Sequence, residues 1–430
     1  MLYSVFFTIH YRGMEIKVSN KIKNICFVLC SLILCFFVVN NIPVSSELTP
    51  DSKLYYGLSK NIESGVGYYD TIRNDEILPP VGHPLLLLTL GSLTEHITII
   101  EVFVGVLALM LAVWLYTSSI IMALILLGFI LLTLKNIGFL NYGIEASAFM
   151  ASSLLILSFV YMYKKGFSAL SIAISAILVA LHILIRPVLF YPVAFFTLIL
   201  AAYYLYIYLK FKTLNIGAWN FRALLIVSFL VLITVSFVSV ISVIYYGDKR
   251  LTKGTYASIP LYVANNEYIP VDRVYSSDML SKYIPKSKIE SMLSSSDGWQ
   301  KRQSRLYGEV IEYVSQHPKR ALSGWVWRFN KYLGVGFNVS NKLFVYTIFV
   351  CLDFLLVVSL IIVGLVKKRK LYLLSSLALL TSVLLLIQIF QMMFFVWVGY
   401  RYLIPLLPFL ASGVLFSLFE IKTLFNFREN

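Results

Sequence analysis

The sequence predicts an all-α polytopic membrane protein of about ten transmembrane helices, and three observations carry that prediction. Of the 430 residues 59% are hydrophobic and only 13% charged, about half the charged share usual for soluble domains, roughly 25%. Apolar runs of about 20 residues recur along the chain, the length needed to cross a bilayer as a helix. Lys and Arg collect in short clusters between those runs, the pattern that sets membrane topology. The formal charge of +15 is therefore read as topology, and nucleic-acid binding is set aside.

The first span runs from about Ile25 to Ile42. Arg12, Lys17, Lys21 and Lys23 precede it and assign the segment 1–24 to the cytoplasm, as the head of an uncleaved signal anchor. Residues 1 to 13 differ in character from the basic MEIKVSNKIKN that follows, which marks Met14 as an alternative start. An external loop over 43–96 ends in PLLLLTLGSLTEH, too short to span and suited to an interfacial or re-entrant position. Further spans are expected at about 97–116, 119–134, 144–163, 168–185, 188–208, 222–246, 343–366, 371–396 and 403–419. The membrane domain 25–246 is thus followed by a large external loop, 247–342, by C-terminal membrane helices, 343–421, and by a cytoplasmic tail, 422–430. Lys164-Lys165, then Lys210, Lys212 and Arg222, then the Lys367 to Lys370 cluster, then Lys422 and Arg428 all fall on the cytoplasmic side of this tally, so both termini are expected inside. Lys135, Arg186 and Arg401 are basic residues in short external connections, against the bias.

The large loop contains apolar residues at helical spacing in LYGEVIEYVSQHPKRALSGWVWRFNKYLG, divided by Pro318. Its second half, with Trp325 and Trp327 beside Lys319, Arg320, Arg328 and Lys331, suits a helix on the membrane surface. Tyr262, Tyr268, Tyr275, Tyr283, Trp299, Tyr307 and Tyr313 interleave with a positive charge balance, which suits an anionic lipid-linked glycan or lipid headgroups. The cysteines Cys26, Cys30, Cys35 and Cys351 all lie in apolar runs. They form neither a disulfide framework nor a metal spacing.

The most informative stretch is 47–88, ELTPDSKLYYGLSKNIESGVGYYDTIRNDEILPPVGHPLLLL, which is too polar to enter a bilayer. Thr49 reads as a helix N-cap, Pro50 as the first helical residue and Asp51 as a first-turn carboxylate that suits the helix dipole. The same placement holds a carboxylate in a fixed direction at the water interface, which a general base requires. Glu47, Asp70, Asp75 and Glu76 are the other carboxylates of the loop. His83, between Gly82 and Pro84, reads either as a loop residue or as a hydrogen-bond partner of substrate.

Glu145 falls at the predicted external end of a span, and carboxylates there usually face a cavity. It is a candidate to contact sugar hydroxyls or to pair with Arg186 or Lys135. His182 and Arg186, four apart, share a helix face. Arg186 reads as a snorkelling arginine or as a phosphate ligand, and Arg401 among Trp397, Tyr400 and Tyr402 as a member of an aromatic belt or as a second one. Gln388 and Gln391 are candidates to line the same cavity or to bond a neighbouring helix.

The arrangement of one helix, an external loop with an early Asp in ELTPDSKLYYGLSKNIESGVGY, and PPVGHPLLL before the next helices resembles the GT-C class of integral-membrane glycosyltransferases, which use polyprenyl-phosphate-linked sugars. LHILIRPVLFYPVAFF (181–196) and GYRYLIPLLPFL (399–410) are similar, more loosely, to an Arg-Pro step and to the Arg-Tyr and prolines at the start of the last helix in that class. A span count of ten is low for it.

The resemblance implies an inverting displacement at the anomeric carbon on the outer face of the cytoplasmic membrane. Asp51 would be the general base, Arg186, Arg401 and His182 would bind the donor phosphate, and Glu145, His83, Tyr55 and Tyr402 would bind substrate. No second histidine or clustered carboxylate lies at ligand spacing from His83, so no metal site is expected, and no cofactor. The partners would be a polyprenyl-phosphate-linked sugar and a glycan, lipid or protein acceptor. An O-antigen or polysaccharide polymerase is the nearest rival, but it has no need of an Asp in the first loop. A transporter or flippase is the other, and the lack of internal repeats weighs against it.

Overall fold

A computed structural model describes residues 8–11, 14–17, 20–45, 49–68, 80–90, 96–140, 143–165, 168–185, six single positions between 233 and 244, 258–272, 282–293, 298–333, 344–367, 376–394 and 400–426. These residues are mostly helical. The apolar runs become α1 (Asn20–Asn40), α4 (Ile97–Thr117), α5 (Ile120–Ile137), α6 (Ile144–Lys165), α7 (Ala169–Ile185), α12 (Phe344–Val366), α13 (Leu377–Met392) and α14 (Leu407–Asn426), the last preceded by a 3-10 helix, Tyr400–Leu406. Among the described residues five helices are long and apolar enough to cross a membrane, and three more apolar helices are shorter. The expected spans at 188–208 and 222–246 lie almost wholly outside the described residues.

Between the membrane-type helices sit shorter ones. α2 (Pro50–Glu63) and α3 (Gly82–Thr89) follow α1, while α8 (Ser258–Ala264), α9 (Lys286–Leu293), α10 (Gly298–Gln316) and α11 (Pro318–Tyr332) occupy the large loop. A hairpin of β1 (Thr8–Tyr11) and β2 (Met14–Lys17) precedes α1. A short parallel pair, β3 (Val44–Ser45) with β4 (Phe139–Leu140), ties the end of α1 to the end of α5. Gly138 makes that tie possible: its φ is 73°, and a Cβ there would stand 3.2 Å from the Pro43 carbonyl oxygen.

α4 and α6 form the centre of the bundle and pack along each other, with α1, α5, α7 and α14 around them and with α12 and α13 held by α14. Small residues set the spacing. A Cβ on Gly105 of α4 would meet the Phe149 ring of α6 at 2.7 Å. Burial sorts the helices into inner and outer ones. α14 is buried over most of its length, whereas α12 exposes Phe354, Leu355, Ile362 and Val366, and α1, α5 and α7 expose Phe36, Ile121 and Leu170. Apolar side chains exposed in bands this large are the outer surface of a membrane protein.

The end of the bundle that carries α2 and α3 is the outer end in the topology that the charge bias predicts.

Candidate functional site

The outer end is built around α2. The Thr49 hydroxyl accepts the Ser52 amide at 3.2 Å, and Pro50 occupies the first turn, as the capping pattern predicts. Asp51 is exposed in that turn, and Tyr55 follows one turn later. The Tyr55 ring meets the His83 ring edge-on, with centroids 4.9 Å apart at 86°. The helix bearing Asp51 therefore rests, through Tyr55, on the PPVGHP segment.

His83 is not a loop residue. It lies in the first turn of α3, fully buried beside buried Gly82 and Pro84. Gly82 is required there: a Cβ would approach the backbone of Leu184 and Ile185 to 2.5 and 2.7 Å, so α3 touches the end of α7 backbone to backbone. Ile185 itself is buried against Ala148 and Ala151 of α6. Pro84 at the start of α3 costs no hydrogen bond, since first-turn amides have no partner within the helix.

Behind His83 runs a buried polar chain. Its Nδ1 lies 2.7 Å from the Ser147 hydroxyl of α6, and that hydroxyl donates to Oε1 of Glu101, on α4, at 2.5 Å. His83 and Ser147 are wholly buried and Glu101 is 1% exposed. One turn and a half further into the bundle, His182 Nε2 lies 2.9 Å from the Ser152 hydroxyl of α6, and both residues are buried.

Of the other residues singled out from sequence, Glu145 is buried in the first turn of α6, two residues before Ser147. Lys135 is exposed at the last turn of α5. Arg186 follows Ile185 directly but lies outside the described residues, as do Glu47, Asp70, Asp75 and Glu76. The 3-10 helix that carries Arg401 and Tyr402 packs along α6, although the two side chains themselves are outside what is described. Gln388 is buried within α13, well along the chain from these groups, and the Gln391 side chain is not described. Sequence reasoning missed Glu101, Ser147 and Ser152. A signal existed for Glu101, an acid within an apolar run; a serine among apolar residues offers none.

The large loop forms a second small core of Tyr262, Val263, Ile269, Ile284, Leu306 and Val310. Tyr262 is inside it and Tyr313 is buried nearby in sequence on α10, so neither is displayed to a ligand, and burial raises the hydroxyl pKa of both. α11 turns Leu322 and Val326 outward and Arg328 inward, so Arg328 does not join the surface stripe of Lys319 and Lys331. The Arg328 guanidinium donates to the Met393 carbonyl at 2.5 Å and the Ala264 carbonyl at 3.2 Å, and Asn265 bonds the Phe394 carbonyl at 3.0 Å and receives the Trp325 indole N–H at 2.7 Å. Burial brings the Arg328 pKa down to about 10, which leaves it charged at neutral pH. The loop is thereby pinned just past the outer end of α13, at Met393 and Phe394, the latter six residues before the 3-10 helix begins.

Comparison of the chain with protein-family models, with curated proteins and with solved structures gives no match.

Proposed function

We propose that the chain is a glycosyltransferase that moves a sugar from a polyprenyl-phosphate donor to a glycan, lipid or protein acceptor on the external face of the cytoplasmic membrane. In this reading ten helices span the bilayer, both termini are cytoplasmic and the outer end is the working face. An acceptor hydroxyl attacks the anomeric carbon as the bond to the phosphate oxygen breaks with inversion. Asp51 takes the hydroxyl proton, and the phosphate departs with the electron pair of the broken bond. Arg186 and Arg401 are the cations assigned to its growing charge, which electrostatic stabilisation of a leaving group requires.

The observation that supports the reading is the meeting of the three separated stretches that resemble one class of enzyme. The α2 helix bearing Asp51 rests on His83, Gly82 beside it touches the backbone just before Arg186, and the 3-10 helix of Arg401 lies along α6, whose Ser147 bonds His83. Asp51, His83, Ser147 and Arg401 come from distant parts of the sequence, and packing alone does not require polar residues there.

The test is transfer from candidate prenyl-phosphate sugars by purified protein. General-base assistance is worth about a hundred- to ten-thousandfold, so Asp51→Asn is expected to lose activity by that order while keeping its folded yield, because residue 51 is exposed. Transfer near the wild-type rate in that variant removes Asp51 from the mechanism.

A further inference from the structure

We propose that Glu101, acting through Ser147, is a positioning residue that holds His83 in the tautomer with its proton on Nδ1. A serine hydroxyl has one proton to give. With Glu101 ionised it goes to Oε1 at 2.5 Å, the length of an O–H bonded to a carboxylate oxygen. Ser147 Oγ must then accept from its other neighbour, the His83 ring nitrogen at 2.7 Å, so Nδ1 carries the hydrogen. In the neutral ring Nε2 is left as the acceptor. The logic is that of a carboxylate fixing an imidazole for acid-base work, with a hydroxyl interposed.

A comparison within the molecule separates this from a merely structural acid. Glu420, also fully buried, sits at the opposite end of the bundle with both oxygens used: Oε1 takes the Tyr116 hydroxyl at 2.5 Å and the Ala378 amide at 3.1 Å, and Oε2 takes the Ser376 hydroxyl. Glu101 has Oε1 bonded and Oε2 with no hydrogen-bond partner among the described residues. A buried acid kept for stability alone is expected to satisfy both oxygens. Glu101 instead spends its one good bond on the hydroxyl that touches His83. The chain Glu101, Ser147, His83, Tyr55 runs from the second turn of α4 through α6 and α3 to the helix of Asp51.

The inference deepens the transferase reading and rests on it for the meaning of His83, but the tautomer can be measured without any reaction. The full chain, labelled with 15N and 13C histidine and placed in phosphatidylcholine nanodiscs, contains five histidines, and His83→Asn identifies the His83 signal. Wild type is expected to show a protonated Nδ1 and an unprotonated Nε2. Ser147→Ala and Glu101→Gln should each shift the ring away from that state, and Ser147→Thr should restore it. In transfer assays the first two variants should lose at least about tenfold in kcat with KM nearly unchanged, and Ser147→Thr should recover most of the loss. An Nδ1 without its proton in wild type, or a tautomer indifferent to Ser147→Ala, overturns the proposal. If wild type transfers no sugar while the tautomer responds as stated, the positioning role is supported and the transferase reading falls alone.

Discussion

Gly82 is the residue on which the outer end depends most directly. Adding one methyl group there places a carbon against the Leu184 and Ile185 backbone at 2.5 and 2.7 Å, where no flexible side chain can give way. Overpacking of this kind typically costs about 1–3 kcal/mol. Gly82→Ala is therefore expected to lower the midpoint of thermal unfolding in detergent and to reduce transfer, because α3 must move away from α7 and carries His83 with it. Gly57, with nothing within 4 Å of its added carbon, is the control: Gly57→Ala should be neutral or slightly stabilising, since alanine favours a helix interior by up to about 1 kcal/mol. At this scale the cap of α2 was legible in Thr49-Pro50-Asp51, because capping is decided by neighbours in sequence. The Ser147 bonds were not, because their partners lie 64 and 46 residues away. His83 read as a loop residue for the same reason: Gly and Pro on either side signal a turn, and only the contact with α7 makes them the first turn of a helix.

Among the elements, α11 departs most from its linear reading. Its apolar and basic residues alternate in the manner of a surface helix, and Leu322 and Val326 do face outward, yet its central arginine turns inward as the pin to α13. Removing that pin strands the Met393 and Ala264 carbonyls in a buried place, at roughly 1–3 kcal/mol for a lost buried partner. Arg328→Met should free the large loop from α13, read as faster protease cleavage within 258–333 while the membrane helices stay protected. The pH dependence follows from the direction of the shift. A cation whose pKa falls on folding is opposed by burial while it stays protonated, and that opposition is relieved only above about pH 10. Between pH 5 and 9 Arg328 remains charged in both states, so docking of the loop should show no pH dependence from this residue, and protection measured across that range checks it. Nothing in the sequence distinguished Arg328 from Arg320, which bonds the Glu267 carbonyl at 3.0 Å from the exposed side of the same helix.

For the whole molecule, hydropathy and charge bias predicted the helices well because both act on long segments independently of partners. Eight of the expected spans coincide with helices in the described residues. The sidedness is open to direct measurement. In intact cells, Ile311→Cys on α10, 70% exposed, should react with a membrane-impermeant maleimide, and Lys422→Cys at the end of α14 should react only after lysis. The reverse pattern would invert the topology and move α2 with Asp51 to the cytoplasm.

The Glu420 knot gathers the tips of α4, α13 and α14, and a lysine from α6 lies 5.4 Å over the Tyr116 ring in the same place. A bundle riveted at its lower tips behaves like a pair of tongs: relative displacement of the helices is smallest at the rivet and grows with distance from it. The working face of the proposed transferase lies at the far tips, where a bulky lipid-borne donor would need the helices to part. Tyr116→Phe deletes one bond to the rivet, and hydrogen exchange should then quicken first around residues 113–117 and 376–380, far from any substrate.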